Sequence, residues 1–149
     1  MIRKANIRDV KQVKELINSF AKQDLMLPRS LNELYENLRD FWVFYQDKKI
    51  VGCCALHISW DDLAEIKSLA VKKNMQKKGI GSQLITTCIN EARQLGVKKI
   101  FVLTYKPEYF RKAGFRRIKH SNLPHKIWAE CINCHKFPNC QEIALVKKL

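Results

Sequence analysis

The chain has 149 residues, and its 28 Lys or Arg against 14 Asp or Glu give a formal net charge of +14. This length predicts one domain over residues 1–149, which would bury about two-thirds of the surface of its unfolded chain. No apolar run reaches the roughly 20 residues that cross a bilayer, and the first residues lack the apolar core of a signal peptide, so we expect a cytoplasmic protein without a membrane partner.

The charge pattern bears on the kind of partner. A basic surplus suits polyanions, and both nucleic acid and a phosphate-bearing cofactor qualify. The basic residues are scattered in pairs such as 48–49, 98–99 and 116–117, mostly in turns and at the ends of predicted elements. No predicted helix carries a continuous basic stripe. The sequence therefore argues against nucleic acid as the main partner, and it leaves open whether the chain forms a homodimer.

The first half of the chain predicts a strand, two helices and a three-strand meander. Residues 3–7 predict a short strand, and Asp9 is expected to cap the helix that follows. Ser30 and Glu33 fit a capping box at the start of a second helix. The two helices are expected to bury Val10, Val13, Leu16, Ile17 and Phe20, and Leu31, Leu34, Tyr35 and Leu38. Strand-like runs follow at 41–46, 50–60 and 63–71, with a hairpin turn at 47–49.

The second half predicts a long helix, a short helix and three more strands. The long helix is expected to end at Gly96 as its C-terminal cap. Its apolar positions recur at helical spacing: Ile80, Leu84, Ile85, Cys88, Ile89, Ala92 and Leu95. Strands at 100–103, 115–118 and 142–147 and a short helix between Pro107 and Gly114 complete the pattern. This order predicts the α+β fold class, with a mixed, mostly antiparallel sheet flanked by helices.

The segment before the long helix has the character of a phosphate site. An apolar run ends at Val71, and residues 76–81 read Gln-Lys-Lys-Gly-Ile-Gly. The first turn of a helix has unpaired N–H groups and the positive end of the helix dipole, so an anion there gains hydrogen bonds and charge together. Glycines at 79 and 81 would let a pyrophosphate approach the backbone. Taken alone, these glycines fit an ordinary loop before an amphipathic helix equally well.

Two familiar phosphate loops do not match this segment. The Walker pattern, with Gly-Lys-Ser/Thr after four intervening residues, is absent, and the dinucleotide fingerprint fails because Leu84 stands where its third glycine belongs. What remains, Gln-x-x-Gly-x-Gly after a strand with an acidic residue near its start, resembles the acetyl-CoA signature of the GNAT superfamily of N-acetyltransferases. The order of predicted elements is similar to that family's fold throughout, except for a cysteine-rich insertion at about 119–141.

The resemblance implies acetyl-CoA as the cofactor. In the family, the strand before the loop offers backbone groups to the pantetheine arm, and the loop with the helix start holds the pyrophosphate. The matching positions here are Leu69, Ala70 and Val71 on the strand, and Gln76, Lys77, Lys78, Gly79, Ile80, Gly81 and Ser82 in the loop and helix start.

Acetyl transfer also needs a base, because a bound ammonium must lose a proton before its nitrogen can attack a thioester. Glu65 lies six residues ahead of Val71 and matches the position of the family's commonest catalytic glutamate. The alternative is an exposed glutamate at the end of a sheet. The resemblance favours Glu65 as the base.

The residue that would act as general acid does not follow the family's pattern. Many GNAT enzymes carry a tyrosine four residues before the Gly-Phe that ends the last helix, whereas Phe110 stands four residues before Gly114 here. Tyr109 is one position off, about 100° around the helix. Either Tyr109 is re-aimed or no general acid is used. The second alternative is preferred because a thiolate is a fairly good leaving group near neutral pH.

The acceptor is suggested by a narrower resemblance. Residues 28–34, 65–71, 100–104 and 109–115 are similar to the acetyltransferase domain of N-acetylglutamate synthases, in which an aromatic pair replaces the usual tyrosine. The resemblance implies L-glutamate, a small acidic amino acid, as acceptor, and a role in arginine biosynthesis. Arg29 beside Ser30 could clamp one carboxylate and Lys67 or Thr104 could hold the other, although Arg29 also fits a surface role.

Other functions remain open from the sequence. The chain lacks the amino-acid kinase domain of the large synthases, so we expect a short, stand-alone form. The acceptor could instead be a polyamine, a drug or a protein N-terminus. A GNAT fold could also bind acetyl-CoA or nucleic acid without turnover. An acidic pocket would favour a polyamine, whereas Arg29 favours an anion.

The cysteine-rich insertion is the last feature. Cys131, Cys134 and Cys140 have a C-x2-C-x5-C spacing, which in a cytoplasmic protein suggests a structural zinc more than a disulfide. A fourth ligand would have to be His135 or His125. The alternative is a group of reduced thiols under a loop. The remaining three cysteines, 53, 54 and 88, are expected to be small core residues.

Overall fold

The computed structural model describes residues 1–122 and 142–149. Within these ranges the chain forms seven strands and four α-helices. The strands are β1 (Ile2–Lys4), β2 (Phe41–Gln46), β3 (Lys49–Trp60), β4 (Leu63–Val71), β5 (Lys99–Thr104), β6 (Arg116–Ile118) and β7 (Ile143–Lys148). The helices are α1 (Val10–Ala21), α2 (Leu31–Glu36), α3 (Ile80–Leu95) and α4 (Glu108–Lys112).

The strands form one sheet in the order β1-β2-β3-β4-β5-β7-β6. Strands β4 and β5 are parallel, and every other neighbouring pair is antiparallel. The β2–β3 hairpin turns at Asp47 and Lys48, which both have positive φ, as a two-residue turn between twisted strands requires. The predicted fold class, a mixed and mostly antiparallel sheet flanked by helices, is confirmed.

Helices cover both faces of the sheet. The apolar stripe of α3 is buried against β3, β4 and β5 on one face, where Leu84, Ile85 and Cys88 are fully buried. Helices α1 and α2 cover the other face, over β2, β3 and the end of β4. Burying one such aliphatic side chain contributes about 1.5–3 kcal/mol, so the two apolar layers hold the central strands in place. No helix of the described residues combines the length and apolarity needed to cross a bilayer.

Three details of the predicted elements are wrong. Asp9 makes no side-chain hydrogen bond at the start of α1; instead Asn6 caps a 3₁₀ turn that precedes the helix, and Asp9 accepts hydrogen bonds from Arg3. Leu95 and Tyr35 are exposed, because each lies at the edge of its helix's apolar stripe. The first strand ends at Lys4 rather than continuing to residue 7.

Other local predictions hold. Ser30 caps α2, its hydroxyl accepting a hydrogen bond from the Glu33 N–H at 3.1 Å. Gly96 ends α3 with φ of +86°, in the left-handed region that favours glycine. The boundaries of the remaining strands agree with the sequence-based ones within a residue.

Candidate active site

Strand β4 is paired on both sides over only part of its length. Its parallel register with β5 runs from Leu63 opposite Lys99 to Ile66 opposite Val102. Its antiparallel register with β3 continues to Val71. In the described part of the chain, β4 and β5 therefore part after Ile66, and residues 67–71 line a gap between them.

A β-bulge marks the point where the strands part. Two steps along β3, from Cys53 to Ala55, face three steps along β4, from Ala70 to Lys67. Ser68 within this bulge is buried and has φ of +58°, an unusual conformation for a residue with a side chain. The Cys53 thiol donates a hydrogen bond to the Ser68 carbonyl at 3.3 Å. Backbone in this region of φ costs about 1–3 kcal/mol and is typical of functional sites.

The loop between α1 and α2 brings Arg29 to this bulge. Its Nε donates a hydrogen bond to Ser68 Oγ at 3.4 Å, although the two residues are 39 positions apart in sequence. Its Nη1 also lies 3.7 Å from Oε2 of Glu33, a carboxylate that is half exposed. The hydroxyl of Ser30 is engaged in the cap of α2. Arg29 and Ser30 were both predicted to bind the substrate. The Arg29 guanidinium lies beside the gap, whereas the Ser30 side chain caps α2.

Glu65 lies in the middle of the sheet rather than at its exposed end. It pairs with His57 in β3 and with Phe101 in β5, and it is 7% exposed. Its Oε1 lies 3.9 Å from Nζ of Lys67, which the alternation of the strand puts on the same face. Glu65 and Lys67 are therefore neighbours at the start of the gap.

Thr104 ends β5 on the far side of the gap. The parallel register continued from Ile66 and Val102 would put it across from Ser68. Its hydroxyl accepts a hydrogen bond from the Lys106 N–H at 2.9 Å. Arg29, Glu65, Lys67 and Thr104 thus flank one gap between β4 and β5. The alternation of the strands puts Thr104 on the face that α3 covers, with Ile100 and Val102, and Glu65 and Lys67 on the opposite face.

The predicted phosphate loop follows β4 directly. The Gln76 side chain donates a hydrogen bond to the Val71 carbonyl at 2.9 Å and so closes the loop back on the strand. Lys77 and Gly79 have φ of +65° and +84°. Gln76 thus orders the loop, and the left-handed turns at 77 and 79 aim the chain into α3.

The N-terminus of α3 has no side-chain cap. Gly79 occupies the cap position, and the first turn contains no acidic residue. A Cβ added to Gly81 would approach only Val71 Cγ2, at 3.9 Å, so the space over this backbone is open. Ile80 is buried in the core, whereas Lys77, Lys78 and Ser82 are exposed. This helix start can accept an anion through backbone N–H groups.

The two aromatic residues of helix α4 differ in burial. Phe110 is 2% exposed and packs edge-on against Phe115, with ring centroids 5.5 Å apart. Tyr109 is 38% exposed. The position of the family's usual acid is therefore an apolar core position in this chain.

One ionisable pair on the same face as Glu65 was not predicted from the sequence. His57 Nδ1 lies 2.6 Å from Asp40 Oδ2, and both side chains are partly buried. The only sequence signal was a histidine in an otherwise apolar strand. Asp40 and His57 are 17 positions apart, and no local pattern links them.

Within residues 1–122 and 142–149, no cluster of three or more His, Cys, Asp or Glu could hold a metal ion. Cys131, Cys134, His135 and Cys140 lie outside the described residues. The zinc site stays a prediction from sequence.

Comparison with known proteins identifies the family. The acetyltransferase (GNAT) family matches residues 8–115. An uncharacterized N-acetyltransferase of Chlorobaculum tepidum is 36% identical over 99% of this chain and 96% of its own length. The chain belongs to the GNAT family. It is an acetyl-CoA-dependent N-acetyltransferase of the GNAT type, and therefore an acyltransferase.

Other GNAT relatives are named for amino acids. An amino-acid acetyltransferase of Mycobacterium tuberculosis is 35% identical over 87% of this chain and 76% of that protein. An amino-acid acetyltransferase of Neisseria meningitidis is 32% identical over 83% of this chain, which spans only 29% of that longer protein.

Solved structures share the fold over the whole chain. A Mycobacterium tuberculosis protein in complex with CoA has a TM-score of 0.87 and 30% identity, and the alignment covers 99% of that chain. A structure of N-acetylglutamate synthase of Neisseria gonorrhoeae, complexed with coenzyme A and N-acetyl-glutamate, has a TM-score of 0.90 and 28% sequence identity. The alignment covers 35% of that longer chain. The predicted GNAT fold is confirmed.

Proposed function

We propose that this GNAT enzyme transfers the acetyl group of acetyl-CoA to the α-amine of L-glutamate, with Glu65 as the base, and that it acts in arginine biosynthesis in the cytoplasm. The observation that carries the acceptor assignment is the position of Arg29, whose Nε lies 3.4 Å from Ser68 Oγ on the strand that carries Glu65. The relatives named amino-acid acetyltransferase support an amino-acid acceptor.

The charges around the gap suit an anionic substrate. Arg29 offers a planar guanidinium that can hold a carboxylate in bidentate fashion. Its contact with Glu33 is long, at 3.7 Å, and partly exposed, so a substrate carboxylate would replace it at low cost. Lys67 adds a second cation beside Glu65. A polyamine carries no anion that could bind Arg29 or Lys67.

Glu65 can serve the proton transfer. The substrate ammonium gives one proton to the Glu65 carboxylate, and the neutral amine attacks the thioester carbonyl. The new C–N bond forms as the C–S bond breaks, CoA leaves as a thiolate, and the second proton of the nitrogen passes to that thiolate or to solvent. Since Phe110 cannot donate a proton, the thiolate leaves without an acid from α4.

The residues present also fit the CoA part of the substrate. The uncapped N-terminus of α3 and the exposed Lys77 and Lys78 would hold the pyrophosphate. The backbone of residues 69–71 borders the gap and offers hydrogen-bonding groups to the pantetheine arm.

The test follows free thiol released from acetyl-CoA with L-glutamate, L-glutamine, L-aspartate and spermidine as acceptors. We expect the fastest turnover with L-glutamate and weaker turnover with the other two amino acids. Arg29→Ala should lower kcat/KM for glutamate about 10- to 100-fold, because a charged hydrogen bond contributes about 1.5–3 kcal/mol. Arg29→Lys should lie in between. Arg93→Ala, which removes an exposed arginine in the last turn of α3, is the matched control.

Each part of the proposal has its own contrary result. Equal rates on spermidine and glutamate would exclude the acceptor assignment. Glu65→Gln should slow turnover about 100-fold or more; an unchanged rate would remove Glu65 as the base. An absence of turnover with every amine, together with CoA binding, would indicate a non-catalytic binding protein.

A further inference from the structure

Glu65 is more deeply buried than its cross-strand partner. His57 lies directly opposite Glu65 in the antiparallel β3–β4 pair, so their Cβ atoms are about 4.5–5.5 Å apart. The two side chains point to the same face of the sheet. They are thus close enough to exchange a proton directly or through one water.

The burial of the two side chains differs in a way that matters for proton release. The side chain of Glu65 is 10% exposed, whereas those of His57 and Asp40 are 30% and 23% exposed. His57 and Asp40 also line an open groove of about 290 Å³, together with Glu36 and Arg39. His57, which lines this groove and lies beside Glu65, therefore offers a proton on Glu65 a path to solvent.

Asp40 fixes the orientation of the imidazole. Its Oδ2 lies 2.6 Å from His57 Nδ1, and a carboxylate can only accept at this distance, so Nδ1 carries the proton. The lone pair is then on Nε2, which can accept a proton. A carboxylate behind the ring also stabilises the imidazolium that forms when Nε2 is protonated.

We propose that His57, held by Asp40, relays the proton of the substrate ammonium from Glu65 to the solvent in the groove. This inference rests on the proposed acetyl transfer. In each turnover the ammonium proton moves to Glu65, then to His57 Nε2, and then to water in the groove. Glu65 and His57 return to their starting forms without any further reactant.

The charged groups around His57 are few. Asp40 and Arg39 face it from the 3₁₀ turn 38–40, Glu36 from the end of α2, and Glu65 with Lys67 from β4. Only Asp40 contacts the imidazole ring through a hydrogen bond given by the described residues. The variants can therefore separate relay from general charge effects.

The test compares His57→Asn and His57→Ala with the wild type and with Glu36→Gln, which changes the charge of the groove without contacting His57. At low buffer concentration we expect kcat of both His57 variants to fall at least about tenfold, with the KM for glutamate and the affinity for CoA within about twofold. Added imidazole should restore their kcat and leave the wild type unchanged. Glu36→Gln should behave as the wild type.

The outcomes separate the relay from the proposed function. An unchanged kcat in the His57 variants, or a loss that imidazole does not restore, would overturn the relay while leaving acetyl transfer intact. Unaltered CoA affinity shows that a variant is folded. If His57→Asn or His57→Ala does not fold, His57→Gln is measured in its place. If the wild-type protein acetylates no amine, both the proposed function and the relay are wrong.

Discussion

The two glycines that flank α3 allow a matched test of the phosphate loop. Gly79 at the N-terminus has φ of +84°, and Gly96 at the C-terminus has φ of +86°. A Cβ added at Gly79 would meet only the end of the Gln83 side chain, at 4.0 Å, and one added at Gly96 would meet nothing within 4 Å. Changing either glycine to alanine therefore perturbs the backbone in the same way and creates no clash.

The cost to stability should be equal for the two variants. A left-handed conformation costs an L-residue about 1–2 kcal/mol, so Gly79→Ala and Gly96→Ala should each lower the free energy of unfolding by that amount. For a chain of this size, the loss corresponds to a decrease in Tm of about 2–8 °C. Affinity for CoA should differ, because only Gly79 lies in the loop that borders the uncapped helix start.

The assay is CoA binding by calorimetry, paired with thermal unfolding of the same samples. We expect Gly79→Ala to raise the Kd for CoA about tenfold, equivalent to about 1.4 kcal/mol, and Gly96→Ala to leave it unchanged. Equal CoA affinity in the two variants, at equal loss of Tm, would refute the assignment of residues 76–82 to the pyrophosphate.

Two further predictions concern buried ionisable groups. Burial would raise the pKa of Asp9, but hydrogen bonds from Arg3 and the Asn6 N–H lower it below its ordinary value. Asp9→Asn should therefore lower the free energy of unfolding by urea by about 2 kcal/mol at neutral pH. The difference in stability between variant and wild type should vanish as the pH falls through the folded-state pKa of Asp9. A difference that is as large in acid as at neutral pH would contradict this prediction. Burial raises the pKa of the Cys53 thiol to about 12 and that of Cys54 is also raised, so peptide mapping should find neither alkylated at pH 8 until the protein unfolds.

The sequence predicted those parts of the fold that depend on local patterns. The apolar spacing of α3, the Ser30 cap and the hairpin turn each follow from neighbouring residues, and all three are present. The cap of α1 was mispredicted because the Asp9 carboxylate accepts hydrogen bonds from the Asn6 N–H, in a capping box of the preceding 3₁₀ turn, and from Arg3 of β1. The contact with Arg3 depends on β1 lying nearby, which the local sequence pattern does not show.

The site was harder to predict than the fold. The positions of Glu65 and the glycine loop follow from one continuous segment, so a motif could find them. The contact between Arg29 and Ser68 and the pair of Asp40 with His57 join separate elements, and no spacing in the chain encodes them. The bulge at Ser68 was also hidden, because serine carries no signal for a positive φ.

The parting of β4 and β5 gives this sheet an edge at its centre. An edge strand normally invites pairing with another chain, and proteins protect it with charges or cover. Here the side of residues 67–71 that faces away from β3 borders a gap inside one sheet. The pantetheine arm of CoA, which is narrow and flexible and carries its own amides, can enter this gap. Amide hydrogen exchange across residues 67–71 should therefore slow when CoA binds, as though the sheet had gained a strand.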